Sequence, residues 1–226
     1  MSPLSQRGTL VIFVKAPMVG RAKTRLAAGI GSARAVSFYR QSTDILVKRL
    51  GSDPRWRTVL AVDPPAATGR GWLHLWPPHL QRVAQGRGNL GQRLRDVLKA
   101  IPLGPVVIIG SDAPQVSRDH IARAFHLLRH HDAVAGPAAD GGYWLIGLKR
   151  LKAAPGAFLD VRWSGEHALA DTLASLPQGF SVARLPVLRD VDEAGDLDDR
   201  ILLRSIRRKP CPSSFLPPSP RGAGGN

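Results

Sequence analysis

Residues 106–112, Val-Val-Ile-Ile-Gly-Ser-Asp, constrain the fold more than any other stretch of the chain. Consecutive apolar, β-branched residues predict a strand that is buried on both faces, as in the middle of a parallel sheet. The strand stops at Gly110, and Asp112 is the next carboxylate. Because open α/β sheets bind ligands outside the carboxyl ends of their strands, Asp112 is a candidate ligand of a divalent metal and a neighbour of a phosphate. Asp is also a common turn residue, so a purely structural role stays open.

Strand and helix patterns alternate along the rest of the chain. A second central strand is expected at 9–14, and further strands at 58–62, 80–84, 132–136, 143–148, 181–186 and 188–191. Helices are expected at 32–50, 90–100, 117–130, 165–176 and 196–207, with Ser32 and Ser117 as N-caps. The alternation predicts an α/β fold, a three-layer α/β/α sandwich around a mixed, mostly parallel sheet of Rossmann-like type.

The chain of 226 residues is long enough for one well-packed domain, which we place at residues 1–208. Residues 209–226 are rich in Pro, Ser and Gly and are expected to form a disordered tail. No apolar run approaches the roughly 20 residues that span a bilayer, and no signal-peptide pattern is present. The single cysteine, Cys211, cannot form an internal disulfide, so a cytoplasmic location is expected.

The formal net charge is +15, which favours a polyanionic partner, either nucleic acid or a phosphate-bearing small molecule. The arginines are spread along the chain, and no recognised nucleic-acid-binding motif is present. Nucleic acid is therefore not the expected partner.

The loop after the first strand, residues 15–26, carries the four cations Lys15, Arg21, Lys23 and Arg25. Such a loop can hold a phosphate, because backbone N–H groups and cations converge on one anion. It is not a Walker A loop, since no glycine directly precedes Lys23. A solvated basic loop is the alternative interpretation.

Two glycine-containing stretches are further candidates. Residues 85–93 include Gly88, Asn89 and Gly91, where the backbone could approach a ligand closely or simply form the loop before a helix. Asp140 begins an Asp-Gly-Gly sequence between two strands, which is a good hairpin turn and equally a candidate for the site.

In combination these motifs resemble the glycosyltransferase-A-like family named the radical-SAM/selenodomain-associated transferase 1 family. The resemblance covers roughly residues 9–206 and implies a nucleotide-diphospho-sugar transferase domain of GT-A fold. It is carried by Lys-Ala-Pro-x-x-Gly-x-x-Lys-Thr-Arg-Leu at 15–26, Gly-Asn-Leu-Gly-Gln-Arg at 88–93, Gly-Ser-Asp-Ala-Pro at 110–114, Asp-Gly-Gly-Tyr-Trp-Leu-Ile-Gly at 140–147 and Asp-Val-Asp at 190–192.

The resemblance implies a role for each matching residue. It implies Mg²⁺ or Mn²⁺ as the cofactor and either a nucleotide sugar or an NTP as the substrate. The expected metal ligands are Asp112 and Asp192, with Asp190 as the alternative to Asp192. The expected catalytic residues are Asp112, Lys23, Arg25 and Asp140, and the expected nucleotide-binding residues are Lys15, Gly20, Lys23, Arg25, Gly88, Asn89, Gly91 and Asp112.

The sequence departs from the family pattern in three places. Asn89 stands where the family usually has Asp, which puts a charged role there in doubt. Ala113 stands where Cys is common, a change that affects packing. Glu-Ala-Gly at 193–195 replaces Thr-Pro-Glu, so the second metal ligand stays open between Asp190 and Asp192.

Three functions fit these residues. Sugar transfer from a nucleotide sugar and nucleotidyl transfer from an NTP both leave a multiply charged phosphate group, which Mg²⁺, Lys and Arg can stabilise. Glycosyl transfer to an unknown acceptor is the first expectation and nucleotidyl transfer with pyrophosphate release is the second. A non-catalytic nucleotide-binding protein is the third.

Overall fold

The computed structural model describes residues 7–18, 24–150 and 156–188. Predictions at Gly20, Arg21, Lys23, Asp190 and Asp192 lie outside these residues, as do the helix expected at 196–207 and the tail. The backbone of Arg25 is described and its side chain is not. Among the described residues, no helix is long and apolar enough to cross a membrane.

The seven strands of the described part form one mixed sheet in the order β3-β2-β1-β4-β6-β5-β7. Only β6 runs antiparallel to its neighbours, so the sheet is mostly parallel, as predicted. The strands are β1 (Thr9–Lys15), β2 (Arg57–Asp63), β3 (Gln81–Ala84), β4 (Val106–Gly110), β5 (Ala133–Pro137), β6 (Tyr143–Leu148) and β7 (Val182–Arg184).

Five α-helices and two 3-10 helices connect these strands in the described part. The α-helices are α1 (Thr24–Ile30), α2 (Ser32–Gly51), α3 (Leu90–Ala100), α4 (Arg118–Leu127) and α5 (Ala168–Ala174), and the 3-10 helices are Pro65–Thr68 and Arg70–Leu75.

Several element boundaries differ from the sequence predictions. Helix α1 begins inside the predicted loop, at Thr24. Ser32 does not cap α2, because the N-cap is Gly31 with a positive φ of 86°. Ser117 does cap α4, where its side chain accepts a hydrogen bond from the backbone N–H of His120. The strand predicted at 188–191 is represented among the described residues only by an isolated bridge at Leu188.

The central strands are buried on both faces, which explains their continuous apolar sequence. In β1, Leu10 and Ile12 pack with α2 and α4 on one side of the sheet, while Val11 packs with α3 on the other. Each fully buried side chain of this kind stabilises the fold by roughly 1.5–3 kcal/mol. The result is the predicted three-layer α/β/α sandwich.

The order of the strands reverses direction between β1 and β4. From β1 the chain proceeds outward to β2 and β3, and it then returns to add β4 on the other side of β1. In open α/β sheets such a switch point leaves a crevice at the carboxyl ends of the two strands, where ligands bind. The fold therefore directs attention to the residues that follow β1 and β4.

Candidate active site

The carboxyl ends of β1 and β4 bring together two of the predicted site residues. Pairing between these strands ends at Phe13 and Gly110, whereas β1 continues beside β2 to Lys15. The side chain of Lys15 is exposed, and Asp112 is partly exposed just beyond the end of β4. The switch point is thus flanked by a cation on one side and a carboxylate on the other.

Tyr39 in α2 links the end of β1 to the residue that follows β4. Its hydroxyl accepts a hydrogen bond of 2.7 Å from the backbone N–H of Lys15 and lies 3.1 Å from Oγ of Ser111. Burial raises the pKa of Tyr39, and the negative charge of Asp112 raises it further. The sequence analysis missed Tyr39 because it lies on the apolar face of α2, where an aromatic residue is typical of a core.

A second polar cluster lies at the carboxyl ends of β2 and β3. The buried amide of Gln85 donates from Nε2 to the carbonyl oxygens of Val14 and Ala61, at 3.0 and 2.9 Å. Arg93 places Nη1 3.4 Å from both Oε1 of Gln85 and Oδ2 of Asp63. Sequence analysis missed all three as site residues. The sequence signal that could have identified Arg93 was its position in the 88–93 motif.

Local structure accounts for the 88–91 stretch. Asn89 caps α3 by accepting a hydrogen bond of 2.9 Å from the backbone N–H of Gln92, and the Gln92 side chain accepts one from Asn89 in return. Gly88 has a positive φ of 90°, and a Cβ on buried Gly91 would collide with the carbonyl oxygen of Phe158. The capping box and close packing explain these residue types, while nucleotide binding by them stays a prediction.

Asp140 forms the turn that the Asp-Gly-Gly sequence predicts. Its Oδ1 accepts a hydrogen bond of 2.9 Å from the backbone N–H of Gly142, and the residue is exposed. Because β5 runs parallel to β1 and β4, the turn that follows it lies at the same edge of the sheet as Asp112. Its position is compatible with the predicted catalytic role, which stays a prediction.

The described residues supply only part of the predicted metal site. Within the described ranges, no cluster of three or more His, Cys, Asp or Glu side chains could hold a metal ion. Asp112 alone nevertheless fits Mg²⁺, which commonly takes one or two protein carboxylates and completes its coordination with phosphate oxygens and water. Leu188 pairs with Ala138 beyond the end of β5, so the chain reaches this same edge two residues before Asp190.

Comparison with known proteins identifies the family. The sequence profile described as "Uncharacterized protein conserved in bacteria (DUF2064)" matches residues 46–165, more than half of the chain. The protein belongs to the DUF2064 family. The finer resemblance to the radical-SAM/selenodomain-associated transferases stays a prediction for this DUF2064 protein. No curated protein sequence matches it.

Solved structures share the fold of this DUF2064 protein. A Desulfovibrio desulfuricans G20 protein, provisionally named a nucleotide-diphospho-sugar transferase, is 28% identical, with a TM-score of 0.73 over 92% of this chain and 90% of that one. The 4-diphosphocytidyl-2C-methyl-D-erythritol synthase of Anaerococcus prevotii DSM 20548 is 9% identical, with a TM-score of 0.58 over 88% and 96% of the two chains. Rv0371c of Mycobacterium tuberculosis H37Rv in complex with manganese is 19% identical, with a TM-score of 0.52 over 88% and 100%.

These likenesses confirm the predicted α/β fold. The 28% identical Desulfovibrio protein, with its provisional name of nucleotide-diphospho-sugar transferase, also agrees with the prediction of a transferase. The bound manganese is an observation about Rv0371c and not about this protein.

Proposed function

We propose that this DUF2064 protein is a metal-dependent transferase that binds a nucleotide sugar and transfers its sugar to an acceptor. The observation that carries the proposal is the switch point between β1 and β4, where Lys15 ends one strand and Asp112 follows the other. The provisional name of the Desulfovibrio protein, a nucleotide-diphospho-sugar transferase, supports the same substrate class.

The chemistry requires stabilisation of the leaving group. In sugar transfer the bond between the anomeric carbon and the diphosphate oxygen breaks, a bond to an acceptor oxygen forms, and a nucleoside diphosphate leaves. Lys15 and the cationic loop that follows it, with Lys23 and Arg25, are proposed to bind the phosphates as they gain negative charge. Lys acts as a point charge, while Arg can donate two parallel hydrogen bonds.

Asp112 is proposed to hold Mg²⁺ or Mn²⁺, with Asp192 or Asp190 as the second carboxylate. Such an ion, when bound, would neutralise part of the charge on the diphosphate. The manganese complex of the structurally similar Rv0371c supports a divalent cation in this fold. Asp63 at the end of β2 and Arg93 in α3 are partly exposed, and they are proposed to offer hydrogen-bonding groups to the remainder of the nucleotide, while buried Gln85 holds Arg93 in place.

Nucleotidyl transfer is the second candidate. In that reaction an acceptor attacks the α-phosphate of an NTP, and pyrophosphate leaves. The fold likeness to the Anaerococcus synthase and the Lys-x-x-x-x-Gly-x-x-Lys-Thr-Arg loop at 15–25 favour it. Both reactions would use the same cationic and carboxylate groups, so the products distinguish them.

The proposal is tested by a thermal-shift screen of NTPs and nucleotide sugars with Mg²⁺ or Mn²⁺, because a ligand that binds only the folded state raises the melting temperature. Incubation with the best ligand and candidate acceptors follows. Release of a nucleoside diphosphate supports sugar transfer, and release of pyrophosphate supports nucleotidyl transfer. Metal-independent binding without turnover would instead support a non-catalytic nucleotide-binding protein.

The substitution Asp112→Asn tests the metal site directly. It keeps the shape of the side chain and removes its charge, so metal-dependent nucleotide binding should be lost while the fold persists. Without ligand, the variant should lose little stability, and relief of repulsion among carboxylates could raise it. Asp44→Asn, on the exposed face of α2, is the matched control and should bind normally. Unchanged metal-dependent binding by Asp112→Asn would refute the assignment of Asp112.

A further inference from the structure

We propose that Tyr39 is a positioning residue that holds the phosphate-binding side and the metal-binding side of the crevice at a fixed separation. The inference rests on the proposed function, because it assigns Tyr39 a role in nucleotide binding at that same site. Its basis is the pair of hydrogen bonds that the Tyr39 hydroxyl makes to Lys15 and Ser111, the residues at the ends of β1 and β4.

The first of these bonds replaces a missing strand contact. The backbone N–H of Ala16 donates to the carbonyl of Asp63 in β2, so the N–H of Lys15 points to the opposite side, toward β4. Pairing of β1 with β4 has already ended at Phe13 and Gly110. The Tyr39 hydroxyl supplies the acceptor that the sheet no longer provides, and it fixes the backbone where the cationic loop begins.

The second bond reaches the other side of the crevice. The Tyr39 oxygen accepts from Lys15, and its own proton is available for donation to Oγ of the buried Ser111, 3.1 Å away. Burial of the phenol raises its pKa, which favours the protonated hydroxyl. Ser111 directly precedes Asp112, so one hydroxyl connects the residue that leads into the phosphate loop to the residue before the metal carboxylate.

This arrangement predicts a loss of function that is separable from a loss of stability. Tyr39→Phe removes the hydroxyl and keeps the ring that packs in the core. The two sides of the crevice can then shift relative to each other, which matters most when one ligand must contact both. We expect metal-dependent nucleotide affinity to fall about three- to tenfold, in line with the loss of roughly one hydrogen bond.

The experiment compares Tyr39→Phe with Tyr143→Phe. Tyr143 is half-buried against the other core layer, with its pKa raised to about 12 by burial of the phenol, and its hydroxyl lies 3.5 Å from Oγ1 of Thr172. In urea unfolding, Tyr143→Phe should lose less stability than Tyr39→Phe, because Tyr143 makes one long hydrogen bond and Tyr39 makes two. Calorimetric titration measures the affinity for the nucleotide found in the screen, with and without Mn²⁺. The gain in affinity that Mn²⁺ produces should be smaller than in the native protein for Tyr39→Phe and unchanged for Tyr143→Phe.

Ser111→Ala provides the second arm of the experiment. If Tyr39 acts through Ser111, the double variant should lose less affinity than the sum of the two single variants. Should Tyr39→Phe fail to fold, Ser111→Ala alone must still reduce the Mn²⁺-dependent gain.

The outcomes separate the two proposals. If the native protein binds no nucleotide, the proposed function is wrong and this inference is lost with it. If the native protein binds with Mn²⁺ and Tyr39→Phe binds equally well, only the positioning role is overturned. Additive losses in the double variant, or equal losses in Tyr143→Phe, would also overturn it.

Discussion

Gln85 holds three strand ends together, and Gln85→Leu is the substitution that tests this best. The residue follows β3, is 4% exposed, and donates both amide protons to carbonyl oxygens, one from β1 and one from β2. Leucine has a similar volume and no donor. The substitution therefore leaves the packing nearly intact and removes the two hydrogen bonds to Val14 and Ala61.

The expected cost follows from these contacts. Each hydrogen bond contributes a net 0.5–1.5 kcal/mol or so, and the contact between Nη1 of Arg93 and Oε1 of Gln85 is lost as well. We expect the free energy of unfolding to fall by about 2–3 kcal/mol. For a chain of this size, 1 kcal/mol corresponds to roughly 2–4 °C in melting temperature, which gives a decrease of about 4–12 °C.

Urea unfolding monitored by tryptophan fluorescence measures the free energy, and calorimetry measures the melting temperature. Gln178→Leu is the matched control, since Gln178 is exposed in a turn and its replacement should change stability by no more than about 0.5 kcal/mol. A Gln85→Leu variant as stable as this control would refute the conclusion that the amide ties β1, β2 and β3 together at the site.

Two further predictions concern packing and charge. Gly91→Ala should lower the free energy of unfolding by about 1–3 kcal/mol in urea titrations. The added methyl group would collide with the Phe158 carbonyl and the Trp163 ring. A free energy of unfolding equal to that of the native protein would show that α3 can shift. Asp171→Asn should lower the free energy of unfolding at pH 7, and the decrease should be smaller at pH 2. The hydrogen bond from Arg162 holds the pKa of Asp171 well below its usual range, so this stabilisation is present above about pH 4 and is lost as the pH falls toward the lowered pKa. If the difference in free energy of unfolding between the variant and the native protein did not change with pH, the role of this hydrogen bond would be contradicted.

The central strands were predictable from sequence because their burial is a property of short, continuous segments. β1 and β4 lie between two layers of helices, and their apolar residues pack on both faces. Such a sequence has few alternatives to a central parallel strand. The same local logic identified Ser117 as the N-cap of α4, because capping depends on residues within one turn.

The missed site residues depend on the order of the strands, which local sequence does not contain. Tyr39, Gln85 and Asp63 are far apart in the chain and meet the β1 terminus only because β1 lies between β2 and β4. The glycine motif at 88–91 is a weak signal of function, as its sequence already indicated. Gly88 and Gly91 satisfy a backbone conformation and a helix contact, which sequence alone could not distinguish from close approach to a ligand.

Part of the positive charge has a structural explanation that the sequence could not supply. Within the described residues, at least six arginines donate to backbone carbonyls: Arg49 to Pro114 and Val116, Arg82 to Trp72 and Trp76, Arg93 to Gly88, Arg95 to Phe158, Arg118 to Arg49, and Arg150 to Pro102 and Leu98. A guanidinium carries five donors in a fixed plane and can join the carbonyls of neighbouring loops and helix ends.

Charge used in this way holds loops in place. The charge of these arginines therefore says little about a polyanionic partner. The net charge is accordingly weaker evidence for nucleic-acid binding. The cations proposed to bear on function are those at the switch point of the sheet, beginning with Lys15. For that proposal the position of a charge relative to Asp112 matters more than the total of +15.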